Sequence, residues 1–328
     1  MRHPDLMARM IGMLRRRRED TMLPMLIAVM AILAAVIEPR SWRLDNLVNL
    51  ARQIVPLLVV SVGQAFAIIS GGLDLSLAAV ISLCGVGGVL IMNRFGILPG
   101  IGGMLLIGTA IGLASGWIIA YFRTTPLVVT LGMLSIAQGC ALILSNGTPI
   151  YDVPAAYSQF IGFDSIAGVP CSVWIGIGTA LGGAMVLSRT VFGRYVYAIG
   201  SNASAATKSG VNVGLHTMLV YGLSGLCAAI GAIVLTAWVG SAQPLAAPDI
   251  TLQSVAAVVL GGVALTGGRG SMLQVIYGVT LLSMLSNVMN MIGVSAYYQT
   301  LIIGIVIILA VILDRLRRGR YSSGPHLN

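Results

Sequence analysis

The feature that most constrains this chain is a series of long apolar runs that fills it from residue 21 to residue 313. Apolar residues make up 57% of the 328 residues, and charged residues only 9%. A soluble domain carries about 25% charged residues, because water must solvate its surface. With so few charges the surface must be covered by lipid, so the sequence predicts a polytopic membrane protein.

The lengths of these runs predict how often the chain crosses the membrane. A helix needs about 20 mostly apolar residues to span the hydrocarbon core. We therefore predict an all-α membrane helix bundle of about ten transmembrane helices. The first run is short and the eighth is shorter, and a glycine pair, Gly71-Gly72, separates the second run from the third. The predicted spans are residues 21–37, 53–70, 75–92, 98–122, 126–145, 171–188, 218–239, 252–265, 272–292 and 298–313.

The basic residues predict the orientation of these spans. The net charge is +9, but the arginines cluster near both chain ends, and aromatic residues, at 6%, are too few for base stacking, which argues against nucleic acid as a partner. With ten spans and a cytoplasmic N-terminus, 15 of the 19 Lys and Arg residues lie on the cytoplasmic side, where membrane proteins concentrate them. Both termini are therefore predicted to be cytoplasmic. Basic segments 1–20 and 315–328 then flank a membrane domain of residues 21–314.

Two connections are longer than the rest. Residues 146–170, which are acidic and contain no Lys or Arg, are predicted to be external, and residues 189–217, which are basic and polar, to be cytoplasmic. In the cytoplasmic connection, Ser201 or Asn202 can cap a short helix over residues 203–209, and Gly210 can end it. Two helical turns are not stable alone in water, so we expect this helix to dock, either on its own protein or on a partner.

Several polar residues fall inside the predicted spans, where they are costly and usually functional. Ser283, Ser286, Asn287 and Asn290 share one face of the ninth span, and Gln64 and Gln138 lie in the middle of two others. Such residues either join helices or line a wet pathway, and both interpretations stay open at this point. None of them is ionisable, which suits a neutral, hydroxyl-rich solute better than an ion.

One carboxylate, Asp74, lies between apolar stretches and is followed closely by Ser76. It can cap the third helix, where a negative charge suits the helix dipole, or it can contact a solute or a gate.

Small residues at helical spacing predict close helix contacts on two spans. One set is Gly108, Gly112 and Gly116, and the other is Gly132, Ser135 and Gly139. The tenth span is almost wholly aliphatic and is predicted to face lipid.

Sequence motifs for nucleotide or metal chemistry are missing from the chain. The phosphate-binding pattern G-x-x-x-x-G-K-[ST] does not occur, since the only lysine, Lys208, follows no glycine loop. The three histidines fall outside the predicted spans, and the four cysteines show no metal-site spacing. We expect a transport subunit rather than an enzyme, with no cofactor in this chain.

At this point four motifs, in order along the chain, resemble one family. Residues 71–76 (GGLDLS), 193–211 (GRY, AIGSN, AA and SGV), 241–262 (SAQP and AAVVLGG) and 267–270 (GGRG) resemble the permeases of ATP-binding-cassette importers for ribose, xylose and arabinose. The matches extend from about residue 53 to residue 314. Arg269 replaces the lysine that the family usually carries, and the flanking glycines are kept.

The resemblance implies a permease of the bacterial inner membrane with several partners. These are a second permease copy or a paralogue, cytoplasmic ATPases that hold ATP and magnesium, and an external sugar-binding protein. It also implies an ATPase-coupling segment in the cytoplasmic connection, formed by Gly193, Arg194, Tyr195, Asn202, Ala205, Ala206, Lys208, Ser209 and Gly210. The candidate pathway residues are Gln64, Asp74, Ser76, Gln138, Ser283, Asn287 and Asn290.

Two other classes of protein compete with this interpretation. A stand-alone facilitator or proton-coupled carrier usually needs carboxylates or histidines inside the membrane, and Asp74 is the single candidate. An intramembrane enzyme needs converging catalytic groups, which the sequence does not offer.

Overall fold

The structure, a computed structural model, describes residues 23–319. The predicted cytoplasmic segment 1–20 and residues 320–328 of the predicted basic tail lie outside the described residues. The helices are α1 (Leu23–Ile37), α2 (Leu44–Ile69), α3 (Leu77–Phe95), α4 (Ile97–Phe122), α5 (Pro126–Leu144), α6 (Ala155–Tyr157), α7 (Cys171–Arg189), α8 (Val191–Lys208), α9 (Val213–Val239), α10 (Ile250–Leu260), α11 (Met272–Met291) and α12 (Ala296–Gly319). A 3₁₀ turn (Pro39–Trp42), a π-helical turn (Ser158–Phe163) and a hairpin of β1 (Ser165–Ile166) and β2 (Val169–Pro170) complete the described chain.

Each predicted span coincides with a helix, so the all-α architecture is confirmed. Among the described residues, seven helices are long and apolar enough to cross a membrane: α2, α3, α4, α5, α7, α9 and α11. Apolar stretches of 10–17 residues also lie in α1, in α10 and in the first part of α12, over Ala296–Val306. The chain is a multi-pass membrane protein, and the predicted count of about ten spans stays a prediction.

Three predicted boundaries were wrong, for identifiable reasons. Helix α2 begins at Leu44 rather than residue 53, and α9 at Val213 rather than 218, because polar turns extend each helix beyond its apolar stretch. Helix α10 ends at Leu260 rather than 265, because Gly261 and Gly262 follow and Gly262 has a φ of +99°, which ends a helix.

The closest helix pair is α4 and α9. Positions 108, 112 and 116 on α4 lie directly against the backbone of Gly225, Tyr221 and Met218 on α9, so a side chain at any of them would collide. The contact predicted for this glycine stripe is confirmed.

The second small-residue stripe has a different environment. No atom of the described chain lies within 4 Å of a methyl group built at Gly132 or Gly139, and Ser135 is exposed. The close helix contact predicted for this stripe is therefore not made within the described chain, and it stays a prediction.

Helix α2 lies in the core of the protein. Every residue from Val55 to Ile69 is buried, and the helix is packed among α7, α9, α10 and α11. By contrast, α12 exposes aliphatic residues including Leu301, Ile305 and Ile308, as predicted for a lipid-facing helix.

Candidate functional site

Residues 189–217 are mostly helical rather than a polar loop with one short helix. Helix α8 runs from Val191 to Lys208 and begins at Thr190, whose hydroxyl accepts a hydrogen bond from the amide of Gly193 at 3.1 Å. It is kinked at Asn202, which has extended dihedral angles (φ −164°, ψ 97°). The kink divides α8 into a base, residues 191–201, and a tip, residues 203–210.

The tip has the two end signals that the sequence predicted. The Asn202 side chain accepts a hydrogen bond from the amide of Ala205 at 2.9 Å, which caps the second half of the helix. Gly210 adopts a φ of +85°, and the amides of Gly210 and Val211 bond back to the carbonyls of Thr207 and Ala206. This is the pairing of a Schellman motif, in which glycine takes the left-handed position.

Only one residue of the tip is buried. Ala206 is buried, and every other residue from Ala203 to Gly210 is exposed, including Ala205, Lys208 and Ser209. The tip therefore presents a surface that the described part of this chain leaves uncovered.

The base of α8 is packed against the end of α2. Val196 and Ile199 are buried, and the backbone of Gly200 lies against the carbonyl of Ile69, the last residue of α2. The Tyr197 hydroxyl donates to the carbonyl of Gly270 at 2.7 Å. Burial raises the pKa of the Tyr197 hydroxyl above its ordinary value.

Three of the four sequence motifs meet at this point. The amide of Gly268 donates to the carbonyl of Ile69 at 2.8 Å, and a side chain at position 267 would touch the backbone of Gly71 and Gly200. Glycines are required here because three backbones approach each other closely. Movement of α8 would therefore act on the end of α2 and on the segment that leads into α11.

The remaining coupling candidates lie on the base. Gly193 is buried against the carbonyls at the end of α7, and the side chain of Arg194 is exposed. Tyr195 is half-buried, and its ring contacts His216 edge-on at 4.8 Å between centroids.

Asp74 connects α3 to α9 and does not cap the first turn of α3. One carboxyl oxygen accepts from the amide of Ser76 at 3.0 Å and from its hydroxyl at 2.6 Å. The other accepts from the Ser224 hydroxyl on α9 at 2.7 Å. Asp74 is only 1% exposed, and Ser76 is also buried. The observed geometry is that of a buried polar joint between two helices.

Three of the candidate pathway residues have partners within the chain. Asn287 exchanges hydrogen bonds with Asn46 at the start of α2, at 3.1 and 3.3 Å. Asn290 accepts from Gln299 at 2.7 Å, and Gln138 donates to the carbonyl of Pro244. These side chains join segments of the bundle.

The other two pathway candidates have no hydrogen-bond partner in the described chain. Gln64 is completely buried in α2, and both polar atoms of its side chain are unpaired. Ser283 is 5% exposed and lines a small cavity between helices. A buried amide or hydroxyl without a partner is costly, so these positions differ from the paired ones.

Sequence reasoning did not identify several residues of these sites. Tyr197, Gly200 and Ser224 were not singled out, because their partners lie far away in sequence. Gln53 and Gln253, which line the same cavity as Ser283, were obscured by span boundaries placed at or beside them.

The sequence model of a family described as branched-chain amino acid transport system / permease component matches residues 46–311. The chain belongs to this permease family.

Relatives of this permease are components of sugar importers. It is 34% identical to the ribose import permease protein RbsC of Escherichia coli (strain K12) over 299 residues, or 89% of this chain and 93% of the relative. It is 31% identical to the D-allose transport system permease protein AlsC of the same strain over 275 residues, or 83% of this chain and 84% of the relative. Identity to that strain's L-arabinose transport system permease protein AraH is 32% over 299 residues, or 89% of each chain. No solved structure matches.

Proposed function

We propose that this permease is the membrane-spanning subunit of an ATP-driven sugar importer in the inner membrane of a bacterium. Separate ATPase subunits, which bind ATP and magnesium, dock on the cytoplasmic side at the tip of α8. A solute-binding protein delivers the sugar to the external side, near residues 146–170. A second permease copy or a paralogue completes the translocation pathway.

One observation carries this proposal: the two halves of α8 differ in burial and packing. The tip is folded and capped yet exposed, with Ala206 as its single buried residue. The base is held against Ile69 and Gly268, at the start of the connections to α3 and α11. A partner that pushes the tip would thus move transmembrane helices, as alternating access requires.

The nature of the solute rests on a second set of observations. The family description refers to branched-chain amino acids, whereas the relatives carry ribose, allose and arabinose in their names. An amino acid is zwitterionic and needs charged or strongly polar contacts. The two pathway candidates without a hydrogen-bond partner in the described chain, Gln64 and Ser283, are neutral and can both donate and accept. They favour a neutral, hydroxylated solute.

The open face of α5 supports a second permease copy as its neighbour. Gly132, Ser135 and Gly139 lie on one face, where methyl groups built at the two glycines meet no other helix of the described chain within 4 Å and Ser135 is exposed. Small residues at this spacing let helices approach closely in a membrane, so another membrane subunit suits the face better than lipid.

Reconstitution tests the energy source directly. The permease, the ATPase and the solute-binding protein encoded with it are placed in proteoliposomes, and uptake of radiolabelled ribose, arabinose and allose is measured. We expect uptake of at least one sugar only when ATP and the ATPase are both present. Equal uptake without the ATPase, or uptake driven by a proton gradient, would instead show a facilitator or a proton-coupled carrier.

A further inference from the structure

A small polar cavity lies between four helices, away from the coupling segment. It has a volume of about 60 Å³ and is bounded by α2, α10, α11 and α12. Its polar lining consists of four side chains, those of Gln53, Gln253, Ser283 and Ser286. Three aliphatic side chains complete the wall. Such a volume has room for a few water molecules or hydroxyl groups.

The polar side chains of this cavity have no other partner. None of the hydrogen bonds in the described part of the chain involves the side chain of Gln53, Gln253, Ser283 or Ser286, although Ser283 is almost fully buried. On α11, the helix of Ser283 and Ser286, the Thr280 hydroxyl by contrast donates a hydrogen bond to the carbonyl of Ile276 at 2.8 Å. Polar groups that the protein leaves unpaired on the wall of a cavity are free to bond water or a solute.

The unpaired groups continue along one face of α2. Gln53, Leu57, Ser61 and Gln64 follow each other at helical spacing, and Ser61 and Gln64 are buried without hydrogen-bond partners in the described chain. From Gln53 to Gln64 this face extends about 16 Å, roughly half the hydrocarbon thickness.

One end of this face lies beside the connection predicted to be external. Arg52, the neighbour of Gln53, donates to the carbonyl of Phe163 at 2.8 Å, and its guanidinium lies over the Phe163 ring. The charge of Arg52 is thus directed to the 146–170 connection, and no charged side chain lines the cavity itself.

We propose that the cavity of Gln53, Gln253, Ser283 and Ser286 binds hydroxyl groups of the transported neutral sugar, and that the face through Ser61 to Gln64 continues this site inward. The inference rests on the proposed function for the identity of the solute. Amides and hydroxyls both donate and accept, as sugar hydroxyls do, and the aliphatic residues of the cavity suit the C–H groups of a sugar.

Thiol labelling tests the site without relying on the energy source. Ser286→Cys is made in a cysteine-free permease, and its reaction with a small thiol reagent is timed with and without ribose, arabinose or allose. We expect at least one of these sugars to slow the reaction severalfold, and the same sugar to be the one transported. An unreactive thiol, or rates that no sugar changes, would overturn the inference, since the cavity would be closed or would hold water alone.

Uptake by the complete importer gives the second measurement. We expect the double variant Ser283→Ala/Gln253→Leu to lower uptake at limiting sugar about tenfold, because two hydrogen bonds to solute are lost. The matched control is Thr280→Val on the same helix, which removes a hydroxyl already bonded to its own backbone and should leave uptake near wild type. Equal uptake by the double variant and the control would contradict the inference. If the wild type takes up sugar only with ATP, the proposed function stands even when this inference fails.

Discussion

The base and the tip of α8 are consecutive in sequence but differ in what holds them. In the base, Val196 and Ile199 are buried and Gly200 lies against the backbone of α2. In the tip, a cap and a glycine stop define the helix, and only Ala206 is buried. In the proposed function this difference separates two tasks: the base would pass movement to the membrane helices, and the tip would bind the partner.

The largest loss of stability is expected when a side chain is added at Gly200 in the base. Gly200→Val places methyl groups against the carbonyl of Ile69 and the amide of Gly268, where there is no room. Because backbone atoms cannot move aside easily, we expect a cost of about 3 kcal/mol or more and loss of most folded protein. The measurement is the yield of monodisperse permease and its thermal unfolding.

The control for this variant is Gly178→Val on α7, where a methyl group would meet nothing within 4 Å. Its yield should match that of the wild type. Equal yields for both variants would contradict the tight packing inferred for the base.

The next largest effect, on uptake and on the unfolding temperature, is expected at Asp74, which follows the junction of α2 with α8. Asp74→Asn replaces a carboxyl oxygen with an NH₂ group among two serine hydroxyls and an amide, and weakens hydrogen bonds worth about 1–3 kcal/mol. We expect lower uptake and a lower unfolding temperature, with normal insertion into the membrane. Ser224→Ala should cause a smaller change of the same kind. Wild-type uptake and stability in both variants would leave Asp74 without the joining role.

Sequence reasoning predicted the local features of this permease better than its long-range contacts. The caps at Asn202 and Gly210 depend on neighbouring residues, so the sequence was sufficient for them. The length of α8 was missed, because residues 191–201 combine polar and apolar positions and become helical by packing on α2. The joint between Asp74 and Ser224 could not be predicted, since 150 residues separate its partners.

The two small-residue stripes illustrate the same limit. Gly112 on α4 and Gly132 on α5 stand in equivalent patterns, yet the first touches α9 and the second touches nothing in the described chain. The pattern predicts a close neighbour, but it does not indicate whether that neighbour belongs to the same chain.

A smaller effect is expected at Tyr197, which joins the base to residue 270. Tyr197→Phe removes one hydrogen bond, worth about 1 kcal/mol, and leaves the ring in place. We expect normal binding of the ATPase but fewer sugar molecules transported per ATP hydrolysed. The matched control is Tyr277→Phe on α11, since the Tyr277 hydroxyl makes no hydrogen bond in the described chain and lies outside the coupling segment. If the Tyr197 variant transports as many sugar molecules per ATP as the wild type, this contact does not transmit movement.

The smallest effect on activity is expected from single cysteines that report which side each region occupies. In a cysteine-free permease, Ala156→Cys in the 146–170 connection should react with an impermeant reagent in intact cells, and Ser204→Cys in the tip should react only after lysis. Bound ATPase should then slow the reaction of Ser204→Cys. Reaction of Ser204→Cys in intact cells, with Ala156→Cys protected, would invert the topology.

The central claim, that the tip of α8 is where the ATPase docks, is tested most directly by moving one proline along it. Proline at Ala206, inside the second helical segment, costs about 3 kcal/mol and should unfold the tip. Proline at Ala203, the first residue after the Asn202 cap, suits a helix start, and the extended Asn202 suits a residue before proline. The measurement is co-purification of the ATPase with each variant, together with sugar-stimulated ATP hydrolysis in proteoliposomes. We predict that Ala203→Pro keeps both and that Ala206→Pro loses both while the permease still inserts; normal assembly and hydrolysis with Ala206→Pro would contradict the account.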